Sequence, residues 1–140
     1  MIVDTCAIAE CCKTSPNAGF QHWLTQVTLA EVATTTISVT ETWFGVQRLA
    51  AGHRRRALMT AVAELFATIT VLGFDDNAAQ MTAQLLVAQK QQGRAMKFTD
   101  AAIAGIALVH AQPLITRDSD FEGIDQLADF QSFQLVNPWN

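Results

Sequence analysis

Short apolar runs alternate with helical patterns along the whole chain. Runs rich in Val, Ile, Leu and Thr predict strands at 2–3, 32–39, 69–72, 114–115 and 133–136. Apolar spacing and turn signals predict helices at about 7–12, 20–29, 41–50, 54–66, 77–91 and 100–111. Strands that lack polar alternation and are separated by helices favour a parallel sheet covered on both faces. The pattern therefore predicts one α/β/α domain over residues 1–140.

The stretch from residue 98 to 121 joins a very apolar helix to a short buried strand. Thr99 is predicted to cap this helix, and Asp100 stands in its first turn. After a turn at 112–113, the strand at 114–115 is followed by Asp118. The helix runs antiparallel to the strand that follows it, so the helix start and the strand end lie at one edge of the sheet. Asp100 and Asp118 are therefore expected to meet.

Four carboxylates are predicted at this edge. Asp4 follows the first strand, Glu41 the second and Asp118 the fourth, while Asp100 joins them through its helix. Ligands of open α/β sheets bind at the carboxyl ends of the strands. Each acid taken alone is also explained as a helix cap or a first-turn residue that offsets the helix dipole. Their joint placement favours a functional site.

Carboxylates gathered in this way need a proton or a cation. Two of them about 5 Å apart repel by about 3 kcal/mol at an effective dielectric constant of 20. Ligand sets made only of oxygen select hard divalent ions, Mg²⁺ first and Mn²⁺ as a substitute. A hydrated Mg²⁺ in an acidic pocket is suited to phosphodiester hydrolysis.

Composition narrows the choice of partners and compartment. The net charge of −4 argues against nucleic-acid binding by bulk charge, so any such contact needs local cations. The chain has no apolar run of about 18 residues and no signal-peptide pattern at its start, which predicts no membrane partner. Three cysteines make a poor disulfide framework and favour a reducing cytoplasm.

Several short motifs resemble those of one nuclease family. They are Ile-Val-Asp-Thr at 2–5, Val-Thr-Glu at 39–41, Asp-Ala-Ala-Ile-Ala at 100–104, Ile-Thr-Arg-Asp at 115–118 and Asn-Pro-Trp at 137–139. Together they resemble the PIN-domain nucleases, and within them the VapC-type toxins of VapBC toxin–antitoxin pairs. The closing Asn-Pro-Trp is similar to the FitB-like branch. The resemblance extends over essentially the whole chain.

The resemblance implies a three-layer α/β/α sandwich with a central five-stranded parallel sheet. It also implies a Mg²⁺-dependent endoribonuclease that forms a homodimer and is inhibited by a small DNA-binding antitoxin. The acids that would match the family's metal site and act in catalysis are Asp4, Glu41, Asp100 and Asp118. Thr116 matches a hydroxyl often placed beside that site, and Thr5 and Cys6 are the other supporting residues.

Two positions depart from the family pattern. Cys6 stands where the family commonly has Asn or Ser, which implies different hydrogen bonding around the acids. The segment 116–121 is one residue shorter than in many relatives, so either Asp118 or Asp120 could be the fourth acid. FitB-like members have Asp directly after Thr-Arg, which favours Asp118.

The candidates for holding RNA phosphates are three cations predicted near the acidic edge, Arg94, Lys97 and Arg117. Two other classes of function remain open. One is another Mg²⁺-dependent hydrolase, such as a DNA nuclease or a phosphatase. The other is a largely non-catalytic partner of an antitoxin in a complex that binds operator DNA.

Overall fold

A five-stranded, all-parallel sheet forms the centre of the structure, a computed structural model that describes all 140 residues. The strands are β1 (Ile2–Val3), β2 (Ala33–Thr35), β3 (Thr70–Leu72), β4 (Leu114–Ile115) and β5 (Leu135–Val136). The helices are α1 (Thr5–Cys11), α2 (Ala18–Thr25), α3 (Thr36–Gln47), α4 (His53–Thr68), α5 (Asp76–Gln91) and α6 (Phe98–Val109). Short 3₁₀ turns occupy Leu29–Glu31, Ser119–Phe121 and Ile124–Gln126. None of the helices is long and apolar enough to cross a membrane.

Strand β1 lies in the middle of the sheet. The strand order is β3-β2-β1-β4-β5. Strands β2 and β3 therefore lie on one side of β1, and β4 and β5 lie on the other. Val3 of β1 pairs with Ile115 of β4. The order of the strands reverses between β1 and β4, and the crevice beyond such a reversal is where α/β folds bind their ligands.

Alternating side chains divide the core into two clusters, one on each face of the sheet. Ile2 and Leu114 belong to the cluster packed against α5 and α6, together with Phe121, Phe130 and other C-terminal residues. The next residue on each strand, Val3 or Ile115, belongs to the cluster formed with α1, α2 and α4. The predicted α/β/α architecture with a five-stranded parallel sheet is therefore confirmed.

The strand predicted at 32–39 is wrong in its second half. Strand β2 ends at Thr35, and Thr36 to Val39 form the first turn of α3. The Thr35 hydroxyl accepts a hydrogen bond from the backbone N–H of Ser38 at 3.0 Å, which caps the helix. This local cap outweighs the strand preference of the β-branched residues that follow it. Glu41 therefore lies in the second turn of α3 and not at the end of a strand.

Several other helix boundaries also differ from the prediction. Helix α6 begins at Phe98 with Lys97 as its N-cap, so Thr99 lies inside the helix and does not cap it. Helix α3 ends at Gln47, and Gly52 is the N-cap of α4, not the end of α3. Helix α2 covers Ala18–Thr25, because the Asn17 side chain caps it by accepting from the N–H of Phe20.

Gly105 lies where α6 approaches α5 closely. A Cβ at this position would overlap the Thr82 hydroxyl and lie 3.1 Å from the Ala78 carbonyl oxygen. We expect Gly105→Ala to lower the free energy of unfolding by about 1–3 kcal/mol, because the two helices would have to separate. A Cβ added at Gly45 of α3 would have no atom within 4 Å, so Gly45→Ala should raise the free energy of unfolding by about 0.5–1 kcal/mol. Urea unfolding measures both changes, and equal stability of the two variants would contradict the packing argument.

Candidate active site

Asp4 and Thr116 lie side by side where β1 and β4 end. Each is the first residue after its strand, and the pairing of Val3 with Ile115 brings them together. Asp4 is 3% exposed, and its Oδ2 accepts a hydrogen bond from the Thr116 hydroxyl. Its Oδ1 accepts from the N–H of Ala7 at 2.9 Å, so Asp4 also caps α1. Burial raises the pKa of the Asp4 carboxyl, while these hydrogen bonds oppose the rise and Asp118 adds to it.

Asp100 enters the same crevice from the first turn of α6. It is 8% exposed, and its Oδ2 is buried without a hydrogen-bond partner. Burial raises the pKa of Asp100 to about 6; Lys97 lowers this pKa, and the carboxylates of Asp118, Asp120 and Glu41 raise it. A buried carboxylate oxygen without a partner is costly, so it indicates a place for a cation or a proton.

Glu41 reaches the acidic edge from helix α3. Its Oε2 accepts a hydrogen bond of 2.5 Å from the hydroxyl of Thr5, the first residue of α1. Thr5 directly follows Asp4, so this bond holds the Glu41 carboxylate at the acidic edge. The structure thus brings Glu41 to the expected edge by a different route from the expected one.

Asp118 and Asp120 both lie at this edge, but at different depths. The N–H of Asp118 donates to the Thr116 hydroxyl at 2.9 Å, which ties Asp118 to the pair formed by Asp4 and Thr116. The charge of Asp118 raises the pKa values of Asp4, Asp100 and Cys6. Asp120 is exposed, and its Oδ2 lies 3.5 Å from the Lys97 ammonium. Asp118 is therefore the more central of the two acids.

Cys6 is a half-buried thiol at the same edge. Burial raises its pKa to about 11, the charges of Asp4 and Asp118 add to the rise, and Arg117 opposes it. The thiol is therefore protonated at neutral pH and is neither a metal ligand nor a nucleophile in that state.

The three candidate cations occupy different places around the acids. Lys97 is exposed, and the charges of Asp100 and Asp120 raise its pKa. The Arg117 guanidinium is near Cys6 and half exposed. Arg94 lies farther out, where its guanidinium packs against Gly123 and lines a polar cavity that Asp120 also borders. Lys97 and Arg117 are thus beside the acids, and Arg94 is on their periphery.

The carboxylates fit a divalent cation by their chemistry, although they do not form a closed cage. No three Asp, Glu, His or Cys side chains are close enough together, as they stand, to enclose an ion. The unpartnered Oδ2 of Asp100 and the mutual repulsion of the acids nevertheless match a positive charge. An ion that keeps several waters, as Mg²⁺ does, can be held through those waters by widely spaced oxygens.

A buried carboxylate that sequence reasoning missed lies behind this edge. Glu10 of α1 is 1% exposed, and its pKa is lowered to about 2 by hydrogen bonds from the Lys13 ammonium, the Asn17 N–H and the Trp139 indole N–H. Arg117 lies 3.9 Å from it. The available signal was a lone acid on the buried face of an apolar helix, which indicates distant partners.

The match with known proteins is specific and spans the chain. The family model for the PIN domain matches residues 1–127. Ribonuclease VapC5 of Mycobacterium tuberculosis is 37% identical over 104 residues, which cover 74% of this chain and 76% of that protein. Toxin FitB of Neisseria gonorrhoeae is 31% identical, with 100% of this chain and 99% of that protein covered.

Solved structures agree with the sequence matches. The structure of FitAB bound to an IR36 DNA fragment has a TM-score of 0.81 and 27% identity, with 99% of this chain and 95% of that chain covered. VapBC-5 of Mycobacterium tuberculosis, a member of the VapBC family of toxin–antitoxin systems, has a TM-score of 0.74 and 26% identity, with 97% and 96% covered.

Proposed function

We propose that this chain, which belongs to the PIN-domain family, is a Mg²⁺-dependent endoribonuclease and the toxin of a toxin–antitoxin pair. VapC and FitB proteins are among its relatives. The observation that carries this proposal is the pairing of buried Asp4 with Thr116 at the reversal of strand order, beside the unpartnered oxygen of Asp100. Residues 1–140 would form one PIN domain. A cytoplasmic location and a homodimer belong to the same proposal.

PIN-domain nucleases generally depend on a divalent metal ion. In this chain the ion would be held, directly or through water, by Asp4, Glu41, Asp100 and Asp118, with Mn²⁺ as a possible substitute for Mg²⁺. When bound, the ion supplies a nucleophilic water and neutralises charge on the phosphodiester. The Thr116 hydroxyl orients Asp4, and the Thr5 hydroxyl orients Glu41. Both hydroxyls act by fixing a carboxylate, because each donates a hydrogen bond to one.

The substrate proposed for this edge is RNA. Lys97 and Arg117 would bind phosphates that flank the bond to be cut, and Arg94 would contact the strand farther away. Because the chain is acidic, these local cations would have to supply the attraction that its net charge does not.

The proposed antitoxin would occupy a groove of about 830 Å³ between α1, α3 and α4. Ile8, Val46 and Val62 are among its apolar lining residues. Thr5 and Glu41 also border the groove, so it opens onto the acidic edge. An apolar segment of the antitoxin seated in this groove would lie beside the proposed catalytic acids, which would explain inhibition. The related FitAB and VapBC-5 complexes support a partner of this kind.

One assay tests the proposal against its rivals. The purified protein is incubated with RNA or DNA in Mg²⁺, with parallel samples in EDTA. We expect RNA cleavage that requires Mg²⁺ and is suppressed by EDTA. Cleavage of DNA alone would indicate a DNA nuclease. The absence of cleavage, together with operator-DNA binding by the antitoxin complex, would favour the largely non-catalytic role.

Binding of Mg²⁺ should weaken in acid. Asp100 has a pKa of about 6 in the metal-free protein, and a protonated carboxyl does not bind the ion. At pH 5 about one tenth of Asp100 is ionised, against nearly all at pH 7.5, so the apparent affinity should be about tenfold lower at pH 5. The raised pKa of Asp4 acts in the same direction. Calorimetric titration measures the difference, and equal affinity at both pH values would contradict it.

A further inference from the structure

Arg117 lies between the acidic edge and the single carboxylate of Glu10, which compete for its charge. Its neighbours in the chain, Thr116 and Asp118, both belong to the acidic edge. On the other side, its Nη1 is 3.9 Å from Oε2 of Glu10, which is not part of that edge. The Arg117 side chain is 50% exposed, so it has room to turn either way.

The guanidinium contacts Trp139 on the side of Glu10, and Trp139 in turn is bonded to Glu10. Its central carbon lies 5.5 Å from the centre of the Trp139 ring, within the range of a cation–π interaction. The Trp139 indole N–H donates to the same Glu10 Oε2 at 3.1 Å. Both partners are themselves fixed: Trp139 stacks on Phe20 with the ring centres 4.7 Å apart, and Glu10 Oε1 accepts from the N–H of Asn17 at 2.7 Å. Glu10 and Trp139 therefore form a rigid clasp.

We propose that Glu10 and Trp139 keep Arg117 from pairing with the carboxylates of the acidic edge, so that Arg117 does not act as an internal counter-ion in the place of the divalent cation. The proposal rests on the metal site proposed above. A released arginine beside several unneutralised carboxylates would pair with them, because the planar guanidinium matches a carboxylate with two hydrogen bonds. Glu10 and Trp139 are in this sense positioning residues. They act through Arg117 and do not touch the cation.

The test is a double-mutant cycle that measures Mg²⁺ binding without RNA. Glu10→Gln keeps an oxygen acceptor but removes the charge that attracts Arg117. If the released guanidinium occupies the edge in nine of ten molecules, the apparent Kd for Mg²⁺ in calorimetry at pH 7.5 should rise about tenfold. In an Arg117→Gln background the same Glu10→Gln change should alter the Kd by less than about twofold, because no guanidinium remains to turn inward.

Lys13→Gln is the matched control. Lys13 is the other cation paired with Glu10, with its Nζ 2.8 Å from the same Oε2, and its removal should leave the Mg²⁺ affinity unchanged. Trp139→Phe is the second variant if Glu10→Gln fails to fold. It keeps the stacking on Phe20 but loses the indole N–H and weakens the cation–π contact. Trp139→Phe should therefore also raise the Kd for Mg²⁺, and this rise should disappear in the Arg117→Gln background.

The outcomes separate this inference from the function on which it rests. Wild-type affinity in both Glu10→Gln and Trp139→Phe would overturn the inference alone. Equal weakening with and without Arg117 would overturn it too, since that pattern indicates a merely structural role for the clasp. A wild-type protein that binds no Mg²⁺ would overturn the proposed metal site itself.

Discussion

Replacing Asp4 with asparagine is expected to lower the rate of RNA cleavage about a thousandfold or more. Asp4 is the most buried carboxylate of the edge and is fixed by the Thr116 hydroxyl and by the N–H of Ala7. Removal of its charge takes away one of the groups that hold the metal ion, whose stabilisation of the transition state is worth several kcal/mol. Initial rates on a labelled RNA, measured with saturating Mg²⁺, give the effect.

Asp75→Asn is the control for this experiment. Asp75 caps α5 with nearly the same backbone angles as Asp4 and accepts from the N–H of Ala78 at the same 2.9 Å. Asparagine is as good a cap as aspartate, so neither variant should lose its helix. Asp75→Asn should cleave RNA at the wild-type rate. If Asp4→Asn also did so, the proposed site would be wrong.

The loss of RNA cleavage in two asparagine variants decides whether Asp118 or Asp120 is the fourth acid of the site. Asp118→Asn is expected to lower RNA cleavage at least about a hundredfold, because it removes a charge that acts on both Asp4 and Asp100. The backbone N–H of Asp118 still donates to the Thr116 hydroxyl in this variant, so the residue stays in place. Asp120→Asn should lower the cleavage rate less than about fivefold, since Asp120 is exposed, pairs with Lys97 at the surface, and acts on Asp100 but not on Asp4.

The same labelled RNA and the same Mg²⁺ concentration serve both variants. Asparagine preserves the side-chain oxygen by which Asp118 accepts from the N–H of Asp120, so the short 3₁₀ turn should persist. The reverse order of effects would assign the fourth acid to Asp120.

The strands beside the site were predictable because their signals are local. Two apolar residues followed at once by Asp4, and two more followed by Thr116, mark strand ends without knowledge of the rest of the chain. Parallel pairing then requires those ends to meet.

The elements that were mispredicted depend on side-chain contacts that a pattern does not contain. Residues 36–39 read as a strand by composition, but one hydroxyl, that of Thr35, starts a helix there. The position of Glu10 on an apolar helix face signalled a buried acid but not its partners, because Trp139 and Arg117 are more than 100 positions away. The side-chain direction of Glu41 also required the structure, since a residue in the second turn of a helix can point to several neighbours.

The central position of β1 has a consequence for the order in which the proposed catalytic apparatus appears during synthesis. Strand β1 leaves the ribosome more than 110 residues before its partner β4 and Asp118. At about 5–20 residues per second, a nascent chain therefore lacks an assembled active site for several seconds or longer. On the proposed site assignment, the growing polypeptide is inert towards RNA throughout that interval, and an antitoxin translated in the same period can be present before the first active molecule.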